Sequence, residues 1–234
     1  MIDIFRGHQP SMATMVAGIL VFMGPLAAQE QSLRPGINDS FLDPAVDEFV
    51  GRFEIESREV FARRTAIVAA CGIKPGQTVA DVGAGTGLFT RLFSEAVGGE
   101  GRVLAVDISP KFLEHIQQAS RSLGQKNIDT LLCQADSSRL PADAVDVAFI
   151  CDTYHHFEFP FKTLESIHRA LKAGGRLIVV DFEKIPGASS EWVMSHVRAD
   201  QETVEAELEQ SGFRKLGEEK GLLSENYFLV FEKR

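Results

Sequence analysis

Residues Val79–Gly87, VADVGAGTG, constrain this chain more than any other stretch. An apolar run, Thr78-Val79-Ala80, stops at Asp81; three glycines then alternate with small residues, and Leu88 opens an apolar pattern of helical period. A strand that ends in an acid and turns through Gly83, Gly85 and Gly87 can bring its backbone closer to a ligand than a Cβ would permit, and can take positive φ angles there. The local reading is a nucleotide-type cofactor site at the carboxyl end of a first parallel strand.

The spacing narrows the cofactor. The dinucleotide fingerprint G-x-G-x-x-G fails, because the sixth position counted from Gly83 is Leu88, and the phosphate loop G-x-x-x-x-G-K-[ST] is absent from the sequence. An acid two residues before the first glycine would repel a pyrophosphate and suits a ligand carrying an ammonium or sulfonium. S-adenosylmethionine (SAM) carries both, plus an adenosine. Asp107 ends the next apolar run, RVLAVD, 20 residues after Gly87. An acid at that place can accept hydrogen bonds from both ribose hydroxyls.

Strand and helix patterns alternate along the chain. A helix is expected over 56–70, ended by Gly72, and a strand over 77–82. Helix 88–96 and strand 102–107 follow. A helix opens at Ser109-Pro110, with proline at the first helical position, and runs to Leu123. Strands are expected at 128–133 and 145–151, a helix at 160–172 ended by Gly174-Gly175, and a strand at 176–182. The run 145–151 is apolar apart from Asp146, as in a strand covered on both faces. This alternation means a parallel sheet with right-handed crossovers. The last helix, 201–210, precedes two adjacent strands near 213–219 and 226–231.

Asp81-Val-Gly-Ala-Gly-Thr-Gly87, Val106-Asp107, Ala135-Asp136, the Asp152–His156 run and Leu171-Lys-Ala-Gly-Gly-Arg-Leu177 resemble, in order and spacing, the motifs of class I SAM-dependent methyltransferases. The likeness is to the group that includes the ubiquinone and menaquinone methyltransferases and many small-molecule enzymes, and it covers roughly 55–232. It implies an α/β, Rossmann-like sheet of seven strands in the order 3-2-1-4-5-7-6, strand 7 antiparallel, with helices on both faces. It also implies SAM as cofactor and S-adenosylhomocysteine as product. Backbone at Gly83, Ala84, Gly85, Thr86 and Gly87 would pack against the methionyl part and ribose, with Asp81 near the ammonium. Ile108 would stack on the adenine, Asp136-Ser137 would approach its amino group, and Asp152 would face the same crevice.

Cys151-Asp-Thr-Tyr-His-His156 is the densest polar cluster and follows the most apolar strand, so it belongs where an acceptor meets the cofactor. Tyr154, His155 and His156 are the candidates for the acceptor side. Imidazole titrates near neutrality, so either histidine could take a proton from a nucleophile, although as neighbours they are not expected to point the same way. No third ligand stands at a suitable spacing, so no metal site is expected. Residues 184–200 carry the only tryptophan. Trp192 and His196 are four apart, on one helical face, and Arg198 could pair with an anionic group of the acceptor. The expected activity is methyl transfer to a small molecule. A non-catalytic SAM- or nucleoside-binding protein, or a NAD-dependent oxidoreductase, are the alternatives.

The 234 residues, 44% of them hydrophobic, suit one domain with a substantial core. A net charge of −9 and the lack of a Lys/Arg cluster argue against a nucleic-acid partner. Residues 12–28 hold no charge and end in Leu26-Ala27-Ala28, after Arg6 and before Gln29, the pattern of a secretory signal peptide over 1–28. Export, with no stable membrane span after processing, is the expectation; an uncleaved anchor, or a cytoplasmic protein with a misassigned start, are the alternatives. Residues 29–54 read as a linker with a short helix near Pro44, and 55–234 as the catalytic domain. The three cysteines are expected to form no structural disulfide.

Overall fold

The computed structural model describes residues 30–234; the apolar run 12–28, and the export reading drawn from it, lie outside those residues. Four short helices come first: α1 (Asp39–Leu42), α2 (Val46–Phe53), α3 (Glu59–Ala62) and α4 (Arg64–Ala70). The alternating part follows as β1 (Thr78–Val82), α5 (Leu88–Val97), β2 (Arg102–Asp107), α6 (Pro110–Ser122), β3 (Ile128–Leu132), β4 (Val145–Cys151), α7 (Pro160–Ala170) and β5 (Leu171–Phe182). The chain closes with α8 (Glu191–His196), α9 (Gln201–Gln210), β6 (Phe213–Glu218) and β7 (Asn226–Lys233). Among the described residues no helix is long and apolar enough to cross a membrane.

The strands form one sheet in the order β3-β2-β1-β4-β5-β7-β6. Neighbours from β3 to β5 are parallel, and β7 runs antiparallel to both β5 and β6. This is the seven-stranded Rossmann-like arrangement that the family resemblance implied. Strand side chains alternate between two cores. Ala80, Val106, Ile150, Val179 and Leu229 pack with Leu164, Ile167 and Leu208 on one face. Val79, Val103, Phe149, Val180 and Phe228 pack with Ile67, Phe89 and Phe93 on the other. Burial on both faces is why these strands read as nearly unbroken apolar runs. Asp146, the exception in β4, accepts the Thr78 backbone N–H at 2.8 Å and the Lys172 ammonium at 2.8 Å.

Two expected elements differ. The helix over 56–70 is broken at Arg63 (φ −97°, ψ 6°), and the Arg64 guanidinium turns back onto the Phe61 carbonyl. The helix expected to reach 172 stops at Ala170, because Leu171 already pairs with Val145 in the sheet. Lys172–Gly175 then bulge out before Arg176 rejoins at Val147. Gly174 (φ +70°) makes that bulge possible, and Gly175 passes too close to the Lys172 carbonyl for a Cβ, which would lie 2.9 Å from it.

Candidate active site

β1 and β4 lie side by side at the point where the strand order reverses, and a ligand crevice is expected beyond the carboxyl ends of strands there. A cavity of about 470 Å³ opens at that place. One end is built by the loop after β1. Gly83 and Ala84 donate their N–H groups to the Val106 carbonyl, which ties the loop to the end of β2. A Cβ at Gly83 (φ +78°) would lie 2.2 Å from Thr153 Cγ2, so this glycine is required for packing against the β4 end. At Gly85 (φ +51°) the nearest atom to an added Cβ is the Phe53 ring, 3.8 Å away across the cavity, so this glycine keeps the ligand space clear.

Asp107 organises this end. Its Oδ2 accepts the Gly85 N–H and its Oδ1 the Ser109 N–H, each at 2.8 Å. Burial raises its pKa to about 6, although both N–H donors pull the other way. Asp81, at the end of β1, is more strongly perturbed. Burial raises it to about 7 against the hydrogen bond from Thr90 Oγ1 at 2.6 Å, and Asp107 adds repulsion. At that value Asp81 is only partly ionised near neutral pH. Ala84, Thr86, Ile108 and Ser137 also line the cavity.

The opposite end is the turn after β4. Asp152 takes a left-handed conformation (φ +47°) and is held by Arg58 Nη2 at 2.6 Å and Asn226 Nδ2 at 2.6 Å. A one-turn 3-10 helix, Tyr154–His156, follows. It turns both histidines toward the cavity, with ring centroids 4.4 Å apart. The expectation that the two could not face the same way is thus corrected. His155 Nδ1 meets Asp181 Oδ1 at 2.7 Å. Burial opposes a charge on His155, but the Asp181 carboxylate prevails and raises its pKa. Burial and the two neighbouring imidazoles push His156 down to about 3. His156 Nδ1 is buried without a partner, and its Nε2 faces His196 Nε2 at 3.5 Å. Trp192 stacks on His196 (4.6 Å, 20°), as their four-residue spacing implied.

Four expected site residues stand elsewhere. Tyr154 is fully buried, and its hydroxyl donates to Glu207 at 2.7 Å on the far side of the turn. Arg198 grips the same Glu207 through two hydrogen bonds of 2.8 and 2.7 Å, so it is spent on an internal ion pair. Asp136 points outward, 3.6 Å from Lys162 Nζ, while Gln134, Ala135 and Ser137 line the cavity around it. Gly87 (φ +78°) lies behind the loop, where a Cβ would strike Ile116 Cγ1 at 2.6 Å.

The sequence reading missed one wall. Residues 32–58 lie over the mouth rather than serving as a linker, and Phe41, Phe49, Phe53 and Arg58 face the cavity. The carboxylate of Glu54 accepts Thr86 Oγ1 at 2.8 Å and both hydrogen bonds from Arg91 Nη2, which clips the end of α2 to the glycine loop. Arg34 donates to the carbonyls of Ser195 and His196, and Asn38 Nδ2 donates to the His156 carbonyl at 3.1 Å. The four-residue spacing of Phe49 and Phe53 on one helical face was the available signal. Cys133 and Cys151 also line the cavity; burial keeps both thiols protonated, pushing Cys133 up to about 12.

Comparison with known proteins agrees with this geometry. Residues 80–179 match the methyltransferase domain family. A stretch of 114 residues is 35% identical to the ubiquinone/menaquinone biosynthesis C-methyltransferase UbiE of Enterobacter sp. (strain 638), covering 48% of this chain and 45% of that protein. The fold matches a SAM-dependent methyltransferase from Aquifex aeolicus with a TM-score of 0.69 at 24% identity, over 81% of this chain and 98% of the other. It also matches a Haemonchus contortus phosphoethanolamine N-methyltransferase in complex with S-adenosylhomocysteine, with a TM-score of 0.61 at 18% identity, over 81% of this chain and 59% of the other. The chain is thus similar to SAM-dependent methyltransferases, through a domain match over residues 80–179 and through its fold. It spans about half the length of the curated relatives it matches, and the family match ends before β6, β7 and the Trp192 segment.

Proposed function

We infer that this protein transfers the methyl group of SAM to a small, apolar, ring-bearing acceptor. The observation that carries this reading is a single cavity with two chemically different ends. At the first, the Asp107 carboxylate keeps lone pairs free for two ribose hydroxyls after accepting two backbone N–H groups. Asp81 offers a buried negative charge to the ammonium, Ile108 an apolar face to the adenine, and the Gln134–Ser137 backbone an edge for its amino group. SAM supplies an electrophilic methyl carbon beside a leaving sulfide, so the protein's task is alignment and exclusion of water. The second end is walled by Phe41, Phe182, Trp192 and the three imidazoles of His155, His156 and His196. That wall suits a flat apolar acceptor presenting a polar nucleophile. The quinone-pathway name of the UbiE relatives supports the same class.

Calorimetric titration with SAM, followed by assay of S-adenosylhomocysteine release over phenol, quinol, thiol and amine acceptors, tests the reading. Stoichiometric SAM binding with turnover on a ring-bearing acceptor is expected. Tight SAM binding with no turnover on any nucleophile class would make the protein a binding module instead. The same reading includes export directed by residues 1–28, which fractionation of producing cells and N-terminal sequencing of the mature chain would check.

A further inference from the structure

We propose that His155, His156 and His196 bind a divalent transition-metal ion at the acceptor end of the cavity. One ring nitrogen from each lies within 4.8 Å of the others. The His156 Nε2 to His196 Nε2 separation is 3.5 Å. Nitrogens about 2.1 Å from a tetrahedral ion stand about 3.4 Å apart, so this pair already has the right spacing, and small ring rotations close the rest. His155 is oriented as a ligand: its Nδ1 is committed to the buried Asp181 carboxylate, which leaves Nε2 to coordinate. A carboxylate behind a coordinating imidazole is the usual arrangement that fixes its tautomer and increases its donor strength. Asp181 is itself held by the backbone N–H groups of His155 and Phe182.

Among the described residues, His156 and His196 present ring nitrogens to one another with no carboxylate paired to either, and His156 Nδ1 is buried without a partner. Asp181 supplies the negative charge that a cation needs, while the nearby Arg34 guanidinium is turned onto the carbonyls of Ser195 and His196. Three imidazoles favour zinc, cobalt or nickel over magnesium or calcium, which prefer oxygen ligands. Three protein ligands leave a fourth position open toward the cavity, as in catalytic rather than structural sites.

The use of the site rests on the methyl-transfer reading; the binding itself does not. An acceptor hydroxyl or thiol occupying the open position would lose its proton to water more readily beside the cation. Its lone pair would then attack the methyl carbon, and the C–S bonding pair would return to sulfur, leaving neutral S-adenosylhomocysteine.

The test is titration of the chelator-stripped, tag-free full chain with Co²⁺ in the absence of SAM, followed by visible absorption, with Zn²⁺ competition for affinity. One equivalent binding with the intense bands of tetrahedral Co²⁺ is expected. His196→Ala, on a half-exposed position of α8, should weaken binding more than about 100-fold, and Asp181→Asn about 10- to 100-fold. His115→Ala, on α6 outside the cavity, should change nothing. Circular dichroism and melting establish that each variant folds; if Asp181→Asn does not, His156→Gln takes its place with the loss expected of His196→Ala. Absence of stoichiometric binding, or binding unaffected by His196→Ala, overturns the proposal. SAM affinity is measured separately on the same samples, so failure of the metal site and failure of the cofactor reading are distinct results.

Discussion

SAM binding should expel a proton from Asp81, and the size of the effect follows from the burial of that carboxylate. In the empty site its pKa is raised to about 7, so about half of the molecules carry the proton at pH 7. An ammonium beside it should lower the pKa by about 1–3 units. Binding at pH 7 should therefore release about 0.5 proton from Asp81 and about 0.1 more from Asp107, whose pKa of about 6 leaves little to lose. At pH 8 the total should fall to about 0.1. Calorimetry in buffers of different ionisation enthalpy measures this number as the slope of apparent enthalpy against buffer enthalpy. Asp81→Asn should remove most of the slope at pH 7 and weaken SAM by roughly 10- to 100-fold, the worth of a charge-assisted hydrogen bond. The variant separates Asp81 from the histidines at the other end of the cavity. A wild-type slope near zero at pH 7, or an unchanged slope in Asp81→Asn, would refute the argument that Asp81 is the cation's partner.

The same carboxylate sets a pH dependence of stability in the empty protein. Its folded pKa of about 7 exceeds the ordinary carboxylate value of 3.8, so the native state binds more protons in between, and this group's contribution to stability should fall by up to about 4 kcal/mol as pH rises from 4 to 7. Chemical denaturation across that window should show it as the change in the stability difference between wild type and Asp81→Asn, since His156, held down to about 3, contributes with the opposite sign in both. Among the loop glycines, Gly83→Ala should cost about 2–4 kcal/mol, from the clash with Thr153 and the positive φ, measured as a lowered melting temperature. Gly85→Val should leave a folded protein, about 1–2 kcal/mol less stable, that no longer binds SAM in a titration. Arg198→Ala should cost about 3–5 kcal/mol by stranding the Glu207 carboxylate, and Tyr154→Phe about 1–3 kcal/mol. Turnover per folded molecule should be unchanged in both; a large fall in the Tyr154→Phe rate would restore that tyrosine to the acceptor side.

The glycine-loop end of the cavity was legible because its signals are local. An acid at a strand end and glycines at fixed offsets are written in consecutive residues, and the alternation of strands and helices orders the sheet around them. The histidine end was only half legible. Whether Tyr154 or His155 faces the cavity depends on how a single 3-10 turn rotates, and that is decided by Glu207 and Asp181, 53 and 26 residues away. Arg198 looked free because its partner, Glu207, sits on the next helix. Sequence spacing does not join His196 to the histidine pair, because it is 40 residues from His156 and meets it only when α8 folds back. The aromatic wall of Phe41, Phe49 and Phe53 lies in a stretch that reads as a linker with a short helix, since nothing local says which element it covers.

Asp152 joins three parts of the chain that are remote in sequence. Its left-handed backbone is sustained only while Arg58 and Asn226 hold the buried carboxylate. If the segment carrying Arg58 lifted away, that charge would lose its counter-ion and the turn bearing His155 and His156 would lose its anchor. The covering helices and the histidine turn are therefore tied to one another through a single buried carboxylate. A substitution at Arg58 would thus be felt at His155 and His156, across the cavity and nearly a hundred positions away in sequence, without touching either ring.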